Sequence, residues 1–331
     1  MWKVPTWGRP LALGVYPLFI RKHRSLVPAG TGFCISKAGF GITSLLQIRE
    51  AVRRCEPGGI QRGIEALFAD DETEEKGIAV LHHRVISGNR FSGYLADLTL
   101  AASAGTADVC YVFPQFRQGY PYLPLPLTFA VPRQGSRVVC AGYSTPPEDV
   151  SFPLDDIESG RINLLDVFEH NLLAVEGRVA HVFTRRFAPG SVGGPCFTID
   201  AGIREGMGGG PVFSENGYVC GFLSADASRF FNKPAGIVSL LRPALGMNIR
   251  LGGRVGKVRL SADRRLIDLI QQGVVTTDGS EQSVSMSRVN SGVLPDIGFA
   301  GEDADRVHAD FAGFQESRPA TEEFHGKQEN P

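Results

Sequence analysis

The sequence has no apolar run long enough to cross a membrane, because no hydrophobic stretch reaches the roughly 18 residues that a spanning helix needs. The run from Leu11 to Ile20 contains Gly14 and Pro17 and is followed at once by Arg21. No small-residue cleavage site comes after it, so it makes a poor signal peptide. We therefore expect a soluble, cytoplasmic protein that does not contact a membrane.

An excess of one charge is also missing, since 34 Lys and Arg against 35 Asp and Glu leave a net charge of −1. Nucleic-acid binders need a concentrated cationic face, so the composition argues against this class. The charge is unevenly distributed, because residues 301–331 contain eight acidic and three basic residues. This segment is polar and poor in β-branched residues, which predicts a disordered acidic tail.

The six cysteines form no C-x-x-C pair and show no Cys/His spacing of a metal site. Most of them lie in apolar, strand-like runs, which is typical of free core thiols in a reducing compartment. The glycine-rich segment from Gly206 to Pro211 lacks the Lys-Ser/Thr of a phosphate loop. We therefore predict no disulfide, no metal and no cofactor.

Short runs rich in Val, Ile, Phe and Leu recur between turn residues, and the 40 Gly and 21 Pro fit many tight turns. They predict strands at 11–21, 32–36, 41–44, 63–68, 77–85, 95–101, 109–113 and 127–131, and then at 137–143, 173–184, 196–200, 211–213, 218–224 and 235–240. Two successive strand groups of similar length predict an all-β protein with two antiparallel barrels.

Helical periodicity is convincing in one place, where Ser261 is a candidate N-cap and Gly273 a C-terminal stop. Between them, four apolar residues share one face at i, i+3, i+4 spacing: Leu266, Ile267, Leu269 and Ile270. The predicted units are thus an N-terminal barrel (1–132), a C-terminal barrel (133–255), a helix with an extension (256–300) and the acidic tail (301–331).

The segment from Gly30 to Leu46 reads G-T-G-F-C-I-S-K-A-G-F-G-I-T-S-L-L, two strands joined by a turn at Gly39. It resembles the start of bacterial trypsin-like serine peptidases of the Deg type. In that family G-[ST]-G-F, a short strand, a glycine turn and then [IL]-T-A-A-H place the general-base histidine. Thr43 matches the threonine of this pattern, and Leu46 falls where the histidine should be.

A second segment, Thr198 to Phe213, reads T-I-D-A-G-I-R-E-G-M-G-G-G-P-V-F. It resembles the T-D-A-x-I-x-x-G-x-S-G-G-P element of the same family, with Gly208 at the position of the nucleophilic serine. Between the two segments, the run from Tyr94 to Leu100 resembles the D-[IL]-A-[LV]-L strand of the orienting aspartate. The resemblance therefore makes Asp97 a relic of the catalytic triad.

The resemblance implies a trypsin-like double barrel of six antiparallel strands each, with a degenerate triad. Acyl transfer needs an oxygen nucleophile and an imidazole to take its proton. Neither leucine nor glycine supplies them, so we interpret the chain as a pseudoprotease that binds a peptide or protein partner. The resemblance assigns an oxyanion-hole-like turn and a peptide-binding strand, formed respectively by Gly206, Met207 and Gly208, and by Phe222, Leu223, Ser224 and Ala225. It also makes the loop with Phe230, Phe231 and Lys233 a wall of the neighbouring pocket.

Two other functions stay open at this point. Ser191, in G-S-V-G-G-P, is an alternative serine, although it stands one place early and the residues after Pro195 do not match the family element. His82 and His83 precede Asp97 too closely for a base and are expected to be strand or loop residues. An active endopeptidase with a misplaced triad is the first alternative. A structural domain of a larger assembly, with the acidic tail as tether, is the second.

Overall fold

The computed structural model of the chain describes residues 2–3, 11–22, 24–55, 77–87, 90–103, 110–114, 122–144, 151–168, 171–183, 187, 192–250, 254–255, 258–259, 263–284, 286–287 and 296–297. Strands dominate these residues, and the helices are few and short.

The strands follow in chain order as β1 (Trp2–Lys3), β2 (Val15–Lys22), β3 (Ser25–Cys34), β4 (Gly41–Thr43), β5 (Gly77–Ser87), β6 (Arg90–Ser103), β7 (Cys110–Pro114), β8 (Arg137–Tyr143), β9 (Phe152–Pro153), β10 (Leu172–Phe183), β11 (Cys196–Ile199), β12 (Pro211–Ser214), β13 (Val219–Asp226), β14 (Gly236–Leu240), β15 (Asn248–Arg250), β16 (Arg254–Val255), β17 (Val258–Arg259), β18 (Asp263–Arg265), β19 (Met286–Ser287) and β20 (Asp296–Ile297). The α-helices are α1 (Leu11–Gly14), α2 (Leu45–Cys55), α3 (Leu154–Glu158), α4 (Leu164–Phe168), α5 (Ser228–Phe231) and α6 (Leu266–Gln271), and 3-10 helices cover Arg242–Gly246 and Ser280–Ser283.

The first large sheet closes into a six-stranded antiparallel barrel. β2 pairs with both β3 and β5, β6 links β5 to β7, and β4 joins β7 back to β3. Side chains along β2 alternate between the two faces of the sheet. Leu18 and Ile20 pack in one cluster with Leu45 and Ile48 of α2, whereas Phe19 packs on the other face. The helix α2 therefore covers one face of the barrel sheet.

The second large sheet has the order β1-β10-β11-β14-β13-β12-β8 and curls into a half-barrel. β10 changes its partner along its length, because residues 172–178 pair with β8 and residues 179–183 pair with β11. No β10 residue in these two ladders is bonded to both strands. The sheet thus returns to β10 at both ends of its curl, with β8 on one part of this strand and β11 on the other. The curl is therefore only half closed.

The first unit is the predicted six-stranded barrel, whereas the second unit is a curled sheet that closes only halfway. The apolar pattern over 173–184 correctly predicts a strand, and the structure extends it over Leu172–Phe183. The pairing of β10 moves from β8 to β11 between Arg178 and Val179, and the register with β11 then shifts between Val179 and His181. Such a change of partner leaves no mark in the pattern of apolar residues, which records burial and not pairing.

Several predicted strands coincide with observed ones, and two differ. The run from Leu11 is divided, since residues 11–14 form α1 and β2 begins at Val15. The predicted strand at 127–131 is reduced to isolated bridges of Leu127 with Val219 and Thr277. The predicted strand at 63–68 lies outside the described residues.

The predicted C-terminal helix exists as α6 and ends as expected, with Gly273 at a φ of 69° just after it. Its N-cap is Arg265, and the side chain of Asp268 accepts a hydrogen bond of 2.8 Å from the Arg265 amide. The expected cap, Ser261, lies outside the described residues. The sequence also did not predict α2, which is the longest helix of the described chain at 11 residues.

None of the helices in the described ranges combines the length and the apolar character that crossing a membrane requires.

Candidate functional site

The glycine-rich turn between β11 and β12 is held in place by Thr31 of β3. The Thr31 amide donates to the carbonyl of Gly208 at 2.8 Å, and its hydroxyl donates to the carbonyl of Gly206 at 2.8 Å. The same hydroxyl accepts from the Tyr143 amide at 2.9 Å, and the Thr31 carbonyl accepts from the Thr43 hydroxyl at 2.7 Å. Thr31 is fully buried, so one residue of the first barrel fixes two peptide groups of this turn.

Gln47 is the side chain that faces Gly208. A β-carbon on residue 208 would lie 2.5 Å from Cγ and 2.6 Å from Nε2 of Gln47, closer than real β-carbons approach. The Gln47 amide also donates to the carbonyl of Ser224 at 2.9 Å. Gln47 therefore fills the space in which the side chain of a nucleophilic residue 208 would stand.

Leu46, which the sequence comparison placed at the base position, packs elsewhere. It lies against an apolar cluster that includes Phe183, Phe187 and Ile237, together with the half-buried Phe230 and Phe231. The helix α2 begins at Leu45, so residues 46 and 47 leave its first turn in different directions. The side chain next to position 208 is thus one residue further along the chain than the motif suggested.

Asp97 lies on β6 and forms an ion pair of 2.8 Å with Arg21. It stands opposite Ala79, on the face of the sheet that Phe19 and Ala79 share. Its neighbours Ala96 and Leu98 belong to the other face, which packs with α2. Asp97 is therefore directed away from the helix that carries Leu46 and Gln47, and its role as a triad relic gains no support from these contacts.

On the side away from β3, β4 pairs with β7, and Thr43 lies directly opposite Cys110. An orienting carboxylate has to lie next to the base that it holds. Two residues before β7 the chain has an acid, Asp108. Like Asp97, it is followed by apolar strand residues, in the run Asp108-Val109-Cys110-Tyr111-Val112. Asp108 itself lies outside the described residues.

The predicted peptide-binding strand is only in part an edge. Phe222 of β13 pairs with Pro211 on one side and Ser239 on the other, so its backbone is enclosed. Leu223 exchanges hydrogen bonds with the glycine turn, donating to Gly210 at 2.9 Å and accepting from Gly209 at 2.6 Å. A ligand strand therefore cannot pair with Phe222 or Leu223.

Ser224 and Ala225 lie where β12 no longer accompanies β13. Ser224 is a bulged residue, because the register with β14 shifts between Leu223 and Ala225. Its hydroxyl lies 2.6 Å from the Ser239 hydroxyl, and its carbonyl accepts from Gln47. Of the predicted strand, Ala225 lines the cleft, and the buried Ser224 lies directly before it.

A cleft of about 530 Å³ opens beside Gly206 and Gly208, and Ala225 lies on its wall. Its acids are already engaged: Glu205 pairs with Arg54 at 3.0 Å, and Glu50 pairs with Arg53 at 2.5 Å. The carboxylate of Asp226 accepts from the amide and hydroxyl of Ser228 at 3.1 and 2.6 Å. Arg204 also lines the cleft and has no ion pair among the described residues.

The loop from Asp226 to Pro234 folds into α5, whose aromatic residues turn inward. Phe230 meets Phe187 edge-on at 5.2 Å, and Phe231 stacks on it at 5.7 Å between ring centroids. Lys233 remains exposed. The predicted pocket wall is thus an aromatic cluster that also receives Leu46.

The two adjacent histidines lie on β5, as expected for strand residues. The His82 side chain is buried between the rings of Tyr16 and Tyr122, at centroid distances of 5.4 and 5.3 Å. The alternative serine, Ser191, lies outside the described residues.

With this geometry, the chain belongs to the trypsin-like peptidase domain family, whose match covers residues 30–222. Among solved structures, the active form of the Rv3671c protease from M. tuberculosis is 18% identical, with a TM-score of 0.43 over 69% of this chain and 76% of that chain. The apo MamO protease domain from Magnetospirillum magneticum is 12% identical, with a TM-score of 0.44 over 71% and 95%. Deg5 is 16% identical, with a TM-score of 0.42 over 65% and 80%. No curated protein matches the chain.

Proposed function

We propose that this chain is a non-catalytic member of its family, a pseudoprotease that binds a peptide or protein partner through the cleft beside Gly208. The observation that carries the proposal is the side chain of Gln47, which occupies the space next to a residue 208 that has no side chain. In a working serine peptidase this is where the base and the nucleophile meet.

The chemistry does not depend on which residue is matched to the base. A glutamine amide carries no lone pair basic enough to take a proton at neutral pH, and a leucine carries none at all. Glycine supplies no oxygen for attack. The oxyanion-hole turn alone gives only a residual acceleration over water, several powers of ten below a complete triad.

Binding is supported by what the cleft retains. It keeps an open volume of about 530 Å³ between residues of the first barrel and of the glycine turn. The carbonyl of Ser224, the residue before Ala225 on the cleft wall, accepts a hydrogen bond from the Gln47 amide. A ligand strand that pairs here has to replace that amide with its own backbone N–H.

The catalytic part of the proposal is tested with a fluorophosphonate probe, which labels activated serines. We expect the full chain to remain unlabelled at probe concentrations that label an active trypsin-like peptidase to completion, with intact-mass spectrometry as the readout. Stoichiometric labelling that one Ser→Ala substitution abolishes would overturn the proposal in favour of an active endopeptidase. Ser44, Ser224 and Ser239 are the first positions to substitute, since Ser44 directly precedes α2 and the hydroxyls of the other two lie 2.6 Å apart behind the Ser224 carbonyl that Gln47 contacts.

The binding part is tested separately, by passing a pool of random decapeptides over the immobilised full chain and identifying retained peptides by mass spectrometry. Retention above that of a matched column without protein is the expected result. A pool that passes through without enrichment would refute peptide binding.

A further inference from the structure

The helix α2 presents two arginines beside the aromatic cluster that receives Leu46. Leu46, Phe230 and Phe231 pack against the same buried cluster. Residues three and seven positions after Leu46 lie on its side of the helix. These residues are Arg49 and Arg53, and both are exposed. The outer face of α2 is therefore cationic where it borders the aromatic cluster.

The short helix α5 adds two more cations. The Arg229 guanidinium lies 4.7 Å from the centroid of the Phe230 ring, and Lys233 follows the helix in an exposed position. Phe230 and Phe231 are half-buried, so part of each ring remains at the surface. We call the following residues together the α2–α5 surface: Leu46, Arg49, Arg53, Arg229, Phe230, Phe231 and Lys233.

Cations outnumber acids on the α2–α5 surface and along the adjoining cleft. The acids are the three that line the cleft, and each already engages an arginine or a serine. With the paired Arg53 and Arg54, six cations face these three acids, which leaves a net charge of +3. Four of the cations form no ion pair with any described residue: Arg49, Arg204, Arg229 and Lys233.

A surface that combines aromatic rings with unpaired cations fits a peptide with aromatic and acidic residues. Aromatic side chains pack on one another, and guanidinium and ammonium groups bind carboxylates. The chain contains such a segment in its acidic tail, D-F-A-G-F-Q-E at residues 310–316, where Phe311 and Phe314 lie between two acids. The tail as a whole, residues 301–331, has eight acidic and three basic residues and lies outside the described residues. Its charge is therefore opposite to that of the α2–α5 surface.

The connection between the tail and the fold is long enough for contact with this surface. Ile297 pairs with Met286, which is two residues after the buried Val284, so the chain is still attached to the fold at this point. From Ile297 to Phe311 the chain spans up to about 50 Å when extended. A domain of this size has a radius of gyration of about 19 Å. A segment tethered to its own site has an effective concentration on the order of millimolar, so weak contacts are enough.

We propose that the acidic tail docks on the α2–α5 surface of its own chain through residues 310–316. Phe311 and Phe314 would lie against the exposed parts of Phe230 and Phe231, and the flanking carboxylates would pair with the unpaired cations around them. This inference goes beyond the proposed peptide binding at the cleft and does not depend on it.

Site-specific photo-cross-linking in the full chain tests the docking. Phe314→p-benzoylphenylalanine keeps an aromatic ring at this position and, on irradiation, forms a bond with a nearby C–H group. Tryptic peptides are then analysed by mass spectrometry. We expect cross-links within one chain to peptides that contain residues of α2 or α5. Cross-links only to other parts of the fold, or none at all, would overturn the proposal. Cross-linked dimers on a denaturing gel would overturn docking within one chain and assign the surface to the tail of a second copy.

Charge reversal shows whether the α2–α5 surface itself attracts the tail. In the double variant Arg49→Glu with Arg229→Glu, we expect the yield of these cross-links to fall at least about fivefold. The control Lys37→Glu with Arg178→Glu makes the same change of charge at two exposed cations outside this surface, between β3 and β4 and on β10. It should retain the yield of the parent chain. Equal yields in all three proteins, or an equal fall in both double variants, would refute docking by charge on this surface.

Discussion

Gly209 is a position of the glycine turn at which no residue other than glycine fits. Its φ is +86°, a region that side-chain-bearing residues rarely adopt. A β-carbon there would also collide with the Thr31 carbonyl oxygen and the Thr43 hydroxyl, both parts of the network that holds the turn. Backbone conformation and packing therefore require glycine at this position independently of each other.

We predict that Gly209→Ala lowers the free energy of unfolding by about 3 kcal/mol or more, because strain at positive φ adds to overpacking. Gly217→Ala is the matched control, since Gly217 has a φ of +80° and open space around its β-carbon position. It should lose only about 1 kcal/mol. Urea unfolding of both variants measures the two losses of free energy. Equal losses would show that the contact of the new β-carbon with Thr31 and Thr43 does not lower stability.

The sequence indicated the glycine turn of the candidate site but not the side chain that faces it. Gly208 could be assigned because the glycines and the proline around it form a dense pattern. Gln47 was missed because the motif was matched residue by residue up to Leu46, and a helix start decides which of two neighbouring side chains faces the cleft. The contact of Gln47 with the Ser224 carbonyl joins residues 177 positions apart, which no local pattern records.

At the scale of elements, β3 supports the turn that follows β11. Thr31 makes four hydrogen bonds, of which three reach residues of the second sheet or its glycine turn. Its hydroxyl serves as donor to Gly206 and acceptor from Tyr143. The position of the proposed binding turn therefore depends on a strand from the other unit.

Thr31→Val keeps the side-chain shape and removes the hydroxyl, so the Gly206 carbonyl and the Tyr143 amide each lose a partner in the interior. We predict a loss of about 2 to 4 kcal/mol in the free energy of unfolding. Thr198→Val is the control, since the Thr198 hydroxyl is equally buried and has no hydrogen-bond partner among the described residues. The control substitution should leave the free energy of unfolding unchanged or raise it. Denaturant titration measures this free energy for both variants. A Thr31→Val variant as stable as the control would refute the anchoring role of Thr31.

Strands were easier to predict than helices for a physical reason. Arg137–Tyr143 has the predicted limits because a short apolar run lies between turn residues. The helix α2 buries only Leu45, Ile48 and Ala51. Three apolar residues among several arginines do not give a recognisable helical pattern in the sequence. Its existence depends on the barrel face that it covers, which the local sequence does not contain.

At the scale of the whole molecule, buried thiols connect stability to pH. Burial raises the pKa of Cys34 and of Cys220 to about 12, and it raises that of Cys140 further. In the unfolded chain a thiol ionises near an ordinary pKa of about 8.5. Above that pH the folded chain holds protons that the unfolded chain has lost, so the free energy of unfolding falls as pH rises.

We predict a decrease of up to about 1.4 kcal/mol per pH unit for each of these thiols between about pH 9 and pH 12. Cys140→Ala should be less stable at pH 7.5 and should show a shallower decrease towards pH 10.5. Val212→Ala, at the residue paired with Cys140, opens a cavity without removing a thiol and should keep the wild-type slope. Unfolding in urea at both pH values measures the slopes, and identical slopes in all three proteins would contradict the prediction.

One apolar cluster draws its members from both large sheets. Phe19 and Phe33 come from the first barrel, and Tyr143, Val219 and Phe222 come from the second sheet. A cut of the chain near residue 132 would leave each fragment with half of this shared interior in water. The two halves of the fold therefore share part of one interior, and we expect a substitution in the part that one unit contributes to lower the stability of the other unit as well.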